Sequence, residues 1–419
     1  AIAKCRDRLL QQISENPLQK IYGVNVGVGN LKDTYISPED AEEFQVKYIK
    51  SHNCGTGKSL DSAIVRAMMI IRLNSFAHGV SAMSIETVEM LESLLNNDVI
   101  PVVLTEGSVG ASGDLVPLAM IAGVMIGLPE SKAMYKNEVL SATVALAKAG
   151  LKPVKLGFKE AMGLTNGTNF MSANSVFASV EAHNLLKTSN LAVALSLEAI
   201  RGEKDAFSSF LAENRPHPGL LEVSNEIRNL INGSKRTTVE AQKIQFLGQD
   251  FTTATERVQD RYCFRSVPPV HGAALESLKK FDEVLTIEIN SVTDNPLVFP
   301  ETGDIISGGN FHGEPIGLVM DSLSIALTEL ANISERRTAK FMDSNHNNGL
   351  PPYLIGTHQT GLNSGFMILQ YTAAALLAEI KVLAHPVVID SIPTSANQED
   401  YVSFATTASR KCRDIIEMV

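Results

Sequence analysis

The sequence predicts a mainly α-helical protein, on three observations. Segments at 60–79, 85–97, 173–200, 272–290, 315–343 and 365–384 are rich in Ala, Leu, Met and Glu and poor in Gly and Pro, the composition that loses least on entering a helix. Strand signals are few. No regular alternation of strand with helix occurs, which argues against a doubly wound sheet.

The N-terminal nineteen residues read as an amphipathic helix without the apolar core of a signal peptide. The sharpest helix start is Ser37-Pro38-Glu39-Asp40, a cap residue followed by proline and two acids in the first turn, with the helix running to about Lys50. The longest apolar run, 115–128, is 14 residues. That is short for a bilayer and reads as a buried helix, with Asp114 placed to cap it and Pro117 tolerated in its first turn. Leu297-Val298-Phe299 and Ile305-Ile306-Ser307 flank a Pro-Glu-Thr-Gly-Asp turn and predict a small hairpin. Polar, glycine-rich stretches at 22–29, 51–58, 106–114, 165–169 and 307–313 lie between the helical blocks, where a scaffold commonly presents reactive loops. A boundary near residue 175 divides a loop-rich part, 1–175, from a helix-dominated part, 176–419.

Composition narrows the function classes. A net charge of -10 supplies no basic stripe for nucleic acid and disfavours anionic membranes. The four cysteines, Cys5, Cys54, Cys263 and Cys412, include no CxxC pair, so reduced thiols in a cytoplasmic protein are the simplest reading. Nine histidines occur without HExxH or comparable ligand spacing, so no metal is predicted.

The most informative segment is Gly107-Ser-Val-Gly-Ala-Ser-Gly-Asp-Leu-Val-Pro-Leu-Ala119. Glycines at 107, 110 and 113 permit backbone conformations closed to other residues, and the loop feeds a helix N-terminus. A tight turn or a phosphate cradle would account for the glycines but not for the full wording. The segment resembles the signature of the ammonia-lyases and aminomutases built on 4-methylidene-imidazol-5-one (MIO), most of all the histidine ammonia-lyases. Matching motifs follow through nearly the whole chain: Tyr22-Gly-Val-Asn25, Ser51-His52, Asn166-Gly-Thr168, Gln259-Asp-Arg-Tyr262 with Arg265, Thr293-Asp-Asn-Pro296, Ser307-Gly-Gly-Asn-Phe-His-Gly313, Gly361-Leu-Asn-Ser-Gly-Phe-Met367 and Ser395-Ala-Asn-Gln-Glu-Asp400.

The resemblance implies a histidine/phenylalanine ammonia-lyase-like fold, with a loop-rich MIO domain and a long central helix bundle, part of whose C-terminal region lies outside these residues. It implies a homotetramer with shared active sites and no external cofactor. Ala111, Ser112 and Gly113 would cyclise to form the electrophile. Tyr22 or Tyr262, with Tyr22 first, would serve as base; a tyrosine starts near pKa 10, so acting at neutral pH requires acidification by its neighbours. Arg265 would bind the substrate carboxylate with its planar fork. Asn166, Gln259 and Asn310 would position the amine or the electrophile, and Phe311 would wall the pocket.

Substrate identity turns on His52 and Glu399. Phenylalanine and tyrosine enzymes of this family typically carry leucine at the place of His52, whereas a histidine beside a glutamate suits an imidazole ring. L-histidine is the expected substrate and trans-urocanate the product, with tyrosine, phenylalanine or a 2,3-aminomutase reaction as alternatives within the family. Two departures border the site: Val26-Gly-Val-Gly29 replaces the usual Thr-Gly-Phe-Gly, and Asn53-Cys54 follows the Ser-His pair.

From other classes, a P-loop is the strongest rival, because His52-Asn-Cys-Gly-Thr-Gly-Lys-Ser59 ends in Gly-Lys-Ser. The motif needs glycine where His52 stands and a preceding strand in a parallel sheet, and neither condition is met. A helical scaffold that never forms the electrophile is the remaining alternative.

Overall fold

A computed structural model describes residues 1–238, 241, 259–356 and 361–419. The helical expectation holds: helices run Ser62–Ala77, Ile85–Asn96, Asn169–Ile200, Val267–Glu288, Glu314–Met342 and Met367–Leu383, each within a few residues of the predicted segment. Local chemistry sets several starts. Asp61 and Ser84 accept hydrogen bonds from the backbone N–H groups of Ala63 and Thr87, which relieves amides that the helix itself leaves unpaired. Ser37 does the same for Asp40 N, but over a single 3-10 turn, Pro38–Asp40, before the helix Ala41–His52 begins.

The chain divides into two compact units, Ala1–Phe177 with Glu283–Met320 and Pro386–Arg410, and Ala178–Asp282 with Asp321–His385 and Lys411–Val419. A single division near residue 175 therefore describes only the first segment of the first unit. The later segments belong there because polar groups buried in the N-terminal part find partners on them: Thr293 Oγ1 accepts from Thr168 N at 3.3 Å, and Thr406 Oγ1 donates to Asp114 at 2.7 Å.

In the first unit the core centres on Met68, Met69, Phe76, Leu91, Leu94, Ile121, Val124 and Phe170. The predicted apolar helix is Leu115–Met125, buried on every side from Val116 to Met125. Each such Val, Leu, Ile or Met side chain contributes about 1.5–3 kcal/mol when withdrawn from water, so this helix is held by its surroundings rather than by amphipathicity. Cys5, Leu9 and Ile13 of the N-terminal helix pack with Ile21, Val24 and Val298 in a smaller cluster.

The predicted hairpin is present as Leu297–Val298 paired with Ile305–Ile306. A further antiparallel sheet, Ile100–Pro101, Lys132–Tyr135 and Glu138–Ser141, was not anticipated. Its tight turn places Lys136 and Asn137 both at positive φ, +51° and +65°, the geometry that matches hairpin twist. Thr56–Ser59 is a strand antiparallel to Leu104–Glu106. The Gly-Lys-Ser triplet thus lies in an exposed strand rather than at a helix N-terminus, and the P-loop reading fails.

In the second unit, His271 is fully buried and its Nδ1 bonds the Asn190 side-chain oxygen at 2.7 Å. The helix Met367–Leu383 leaves Leu369, Tyr371, Leu376 and Val382 exposed. By length and composition two stretches among the described residues, Glu314–Met342 and Met367–Asp390, are apolar enough to cross a membrane, a feature missed by looking only for unbroken apolar runs. Core helices of soluble proteins meet the same criterion.

Candidate active site

The glycine-rich loop before Leu115–Met125 folds back on itself. Ala111 and Gly113 register as a parallel bridge, as do Gly113 and Gly167. The two loops are stitched on both sides of Gly113: Gly167 N donates to the Ser112 carbonyl at 3.3 Å and Asp114 N donates to the Gly167 carbonyl at 2.7 Å. Gly113 stands at φ +76°, and a Cβ there would collide with the Gly167 carbonyl oxygen and lie 3.0 Å from that of Phe311. Only glycine fits. Ser108 Oγ donates to the Gly113 carbonyl at 3.2 Å, and Phe404 N donates to the Val109 carbonyl at 3.0 Å, which fixes the rest of the turn.

Asp114 does not cap the helix that follows it. Its carboxylate instead accepts from Met171 N at 3.0 Å and from Thr406 Oγ1 at 2.7 Å, so it satisfies an open amide at the start of Asn169–Ile200. Burial pushes its carboxyl up to about 7, against these hydrogen bonds, which favour the ionised form.

Ser112 opens into a cavity of about 150 Å³ also lined by Tyr22, His52, Asn166 and Glu399. Five of the expected site residues, drawn from five separate motifs, thus meet in one pocket of the first unit. Tyr48 and Ser395 also line it; neither was given a role from the sequence, although Ser395 opens the motif that carries Glu399. Tyr48 lies one helical turn before His52, and the two rings stack 4.1 Å apart at 22°, a contact that their i, i+4 spacing made legible.

His52 Nδ1 lies 2.8 Å from the Tyr48 carbonyl and 3.0 Å from Ser51 Oγ. A carbonyl can only accept, so Nδ1 carries the proton and Nε2 keeps a lone pair. Burial lowers the pKa of the ring, against the Tyr48 carbonyl and Glu399, which raise it. The imidazole is therefore neutral at pH 7. Glu399 accepts from Thr394 Oγ1 at 3.0 Å.

Tyr22 departs from expectation in direction. Burial raises its pKa, the Gly29 N–H bonded to its oxygen at 3.4 Å lowers it, and the Glu399 charge raises it again. A single chain thus makes this hydroxyl less acidic than an ordinary tyrosine.

Asn166 is buried, and its Nδ2 donates to the Asn295 carbonyl at 3.0 Å. Asn310 and Phe311 follow on the 307–313 loop: Asn310 is exposed and donates to the Val292 carbonyl at 3.4 Å, and Phe311 meets Gly113 through its main-chain oxygen. The remaining expected residues belong to the second unit. Gln259 and Tyr262 line a separate cavity of about 730 Å³ together with Arg336 and Lys340, and the Arg265 guanidinium lies 4.5 Å from the centre of the Tyr262 ring. Tyr262 is 71% exposed.

The family model for aromatic amino acid lyases matches residues 1–419. Over 398 residues the chain is 47% identical to histidine ammonia-lyase 2 of Fusobacterium nucleatum, covering 95% of this chain and 75% of that one. Among solved structures it resembles the phenylalanine aminomutase of Pantoea agglomerans, with TM-score 0.91, 33% identity and 99% and 80% of the two chains covered. It also resembles the histidine ammonia-lyase of Trypanosoma cruzi, with TM-score 0.85, 35% identity and coverage of 100% and 75%.

Proposed function

The chain belongs to the aromatic amino acid lyase family, and from that premise we propose that it removes ammonia from L-histidine to give trans-urocanate, through an MIO group made from Ala111, Ser112 and Gly113. The observation that carries the reaction is Gly113 pressed against the Gly167 carbonyl oxygen. Cyclisation needs the Gly113 nitrogen to reach the Ala111 carbonyl, and the folded-back bridge between these residues fits that need. When formed, the group supplies an electrophilic carbon that takes the substrate amine and makes it a better leaving group.

The chain's own residues do the rest. Tyr22 takes the β-proton as general base. Asn166 holds the amine beside Ser112. The ring of the substrate lies between Glu399, which accepts the imidazole N–H, and His52, whose Nε2 lone pair orders a water or accepts the second N–H of a protonated ring. An aromatic ring without nitrogen would offer Glu399 no N–H in exchange for the water it displaces, which costs about 1–3 kcal/mol. Glu399→Gln is therefore expected to lower kcat/KM for histidine by roughly 10- to 100-fold while changing turnover of phenylalanine little. Separate assays with the two amino acids check this, and unchanged histidine turnover in the variant would remove the ground for the substrate assignment.

Arg265, Gln259 and Tyr262 bind the carboxylate, position the amine and assist proton transfer in a homotetramer whose subunits share sites; Asn310 and Phe311 border the electrophile. The exposed apolar face of Met367–Leu383 and the exposure of Tyr262 support that assembly. Mixing and reassembling Ser112→Ala with Tyr262→Phe protein is expected to give activity above either parent, because some sites would receive both intact residues. Absence of complementation under conditions where subunits demonstrably exchange would contradict shared sites.

The likeness to an aminomutase favours one second reading, return of the ammonia to the β-carbon. Appearance of a β-amino acid rather than urocanate in the product would establish it. The charge balance and the four unpaired cysteines, three of them buried, support a cytoplasmic setting.

A further inference from the structure

Lys159 and Asp294 form an ion pair at 2.6 Å with both side chains fully buried. A pair so placed gives up the hydration of both ions, and apolar replacements are often no less stable. Stability alone therefore does not account for it. The backbone at Lys159 adds weight: it stands at φ +70°, a left-handed conformation that glycine adopts freely and other residues resist. Glycine would relax the chain but could not supply the ammonium.

The contacts lead from this pair to the cavity. Lys159 Nζ donates to Asp294 Oδ2 and to the Ser81 carbonyl at 3.0 Å. Asp294 Oδ1 accepts from Asn295 N at 2.6 Å. The Asn295 carbonyl then accepts from Asn166 Nδ2, while its side-chain oxygen accepts from Gly308 N at 2.8 Å. The two ends of an asparagine amide are nearly equal in shape, so the partner of one end decides which end is left for a ligand. Here a carbonyl captures the nitrogen.

We propose that Lys159 and Asp294 are positioning residues: their ion pair fixes the Asn295 carbonyl, which holds Asn166 by its nitrogen and leaves the amide oxygen to bind the substrate amine. The inference rests on the reading of Asn166 as a substrate-binding residue.

A double-mutant cycle separates the two. Lys159→Met/Asp294→Asn removes both charges of the pair together, so neither member is left facing a lost partner. The buried Arg72, which the Asp294 charge also favours, keeps its hydrogen bonds to the Gly163 carbonyl and Asn169. Alone, the pair variant is expected to keep the mass and absorbance of the cyclised group but to lose about 10- to 100-fold in kcat/KM, the scale of a small misplacement of a reacting group. On an Asn166→Ala background the same pair of changes should cost no more than about twofold, because the route they act through is already gone. Losses that multiply in full, or no loss from the pair variant alone, would overturn the proposal. Full activity of Asn166→Ala would instead bring down the reading of Asn166, and the inference with it. A second test leaves the ion pair untouched: Asn166→Asp retains an acceptor oxygen but cannot donate to the Asn295 carbonyl, so it should be impaired as severely as Asn166→Ala. Near-native turnover in that variant would contradict the proposed amide orientation.

Discussion

Ser112→Ala is expected to lose about a million-fold in turnover, the scale for deleting the covalent residue of an enzyme, while the protein stays folded. The reason lies in what the substitution removes and what it leaves. One oxygen atom goes, and with it the only route to the exocyclic carbon. The backbone contacts that hold the turn remain, since Gly167 N bonds the Ser112 carbonyl and Asp114 N bonds the Gly167 carbonyl. Thermal midpoint and helix content should therefore match those of the native protein, whereas the near-ultraviolet absorbance of the cyclised group should vanish. Residual turnover within about a hundredfold of native would mean that the amine departs without help from this loop.

The second large effect concerns Tyr22. Tyr22→Phe is expected to lower kcat by about 10²- to 10⁴-fold, the usual contribution of a positioned general base, with the cyclised group still present. The pH dependence follows from the direction of its shift. Burial, aided by the Glu399 charge, outweighs the Gly29 hydrogen bond and holds the hydroxyl above its ordinary value. A base must be deprotonated to act, so with a raised pKa only a small fraction is competent at pH 7, and that fraction grows about tenfold for each pH unit below the pKa. The native kcat should rise with pH from neutral into the alkaline range. The substrate amine also loses its proton there, but any slope surviving in Tyr22→Phe belongs to the substrate and can be subtracted. If Tyr22→Phe kept native kcat and Tyr262→Phe lost it, the base would have to be reassigned to Tyr262. A cationic group brought near Tyr22 by assembly or by substrate would move the alkaline rise to lower pH.

Much of this was legible in the sequence, for identifiable reasons. Long helices such as Asn169–Ile200 and Glu314–Met342 announce themselves through composition over many residues. The Gly113 turn was legible because a motif specifies it end to end. His52 and Glu399 lie far apart in sequence and met only through motif order, which carries spatial information that periodicity lacks. The Lys132–Ser141 hairpin was missed because its turn uses lysine rather than the expected glycine beside Asn137. Asp114 was assigned to the wrong helix because adjacency in sequence favoured Leu115–Met125, while the amide it satisfies belongs to Met171. The Lys159–Asp294 pair was invisible: Asp294 lies in the Thr293–Pro296 motif, but nothing in the sequence marks Lys159 as its partner, and their association exists only in the folded chain.

Intact mass of the native protein, followed by mapping of the peptide that contains Gly107–Asp114, tests the central claim most directly. Ring closure and dehydration of Ala111-Ser112-Gly113 predict a deficit of two waters confined to that peptide and absent from Ser112→Ala. A native preparation that weighs what its unmodified residues require, yet eliminates ammonia from histidine at full rate, would contradict it.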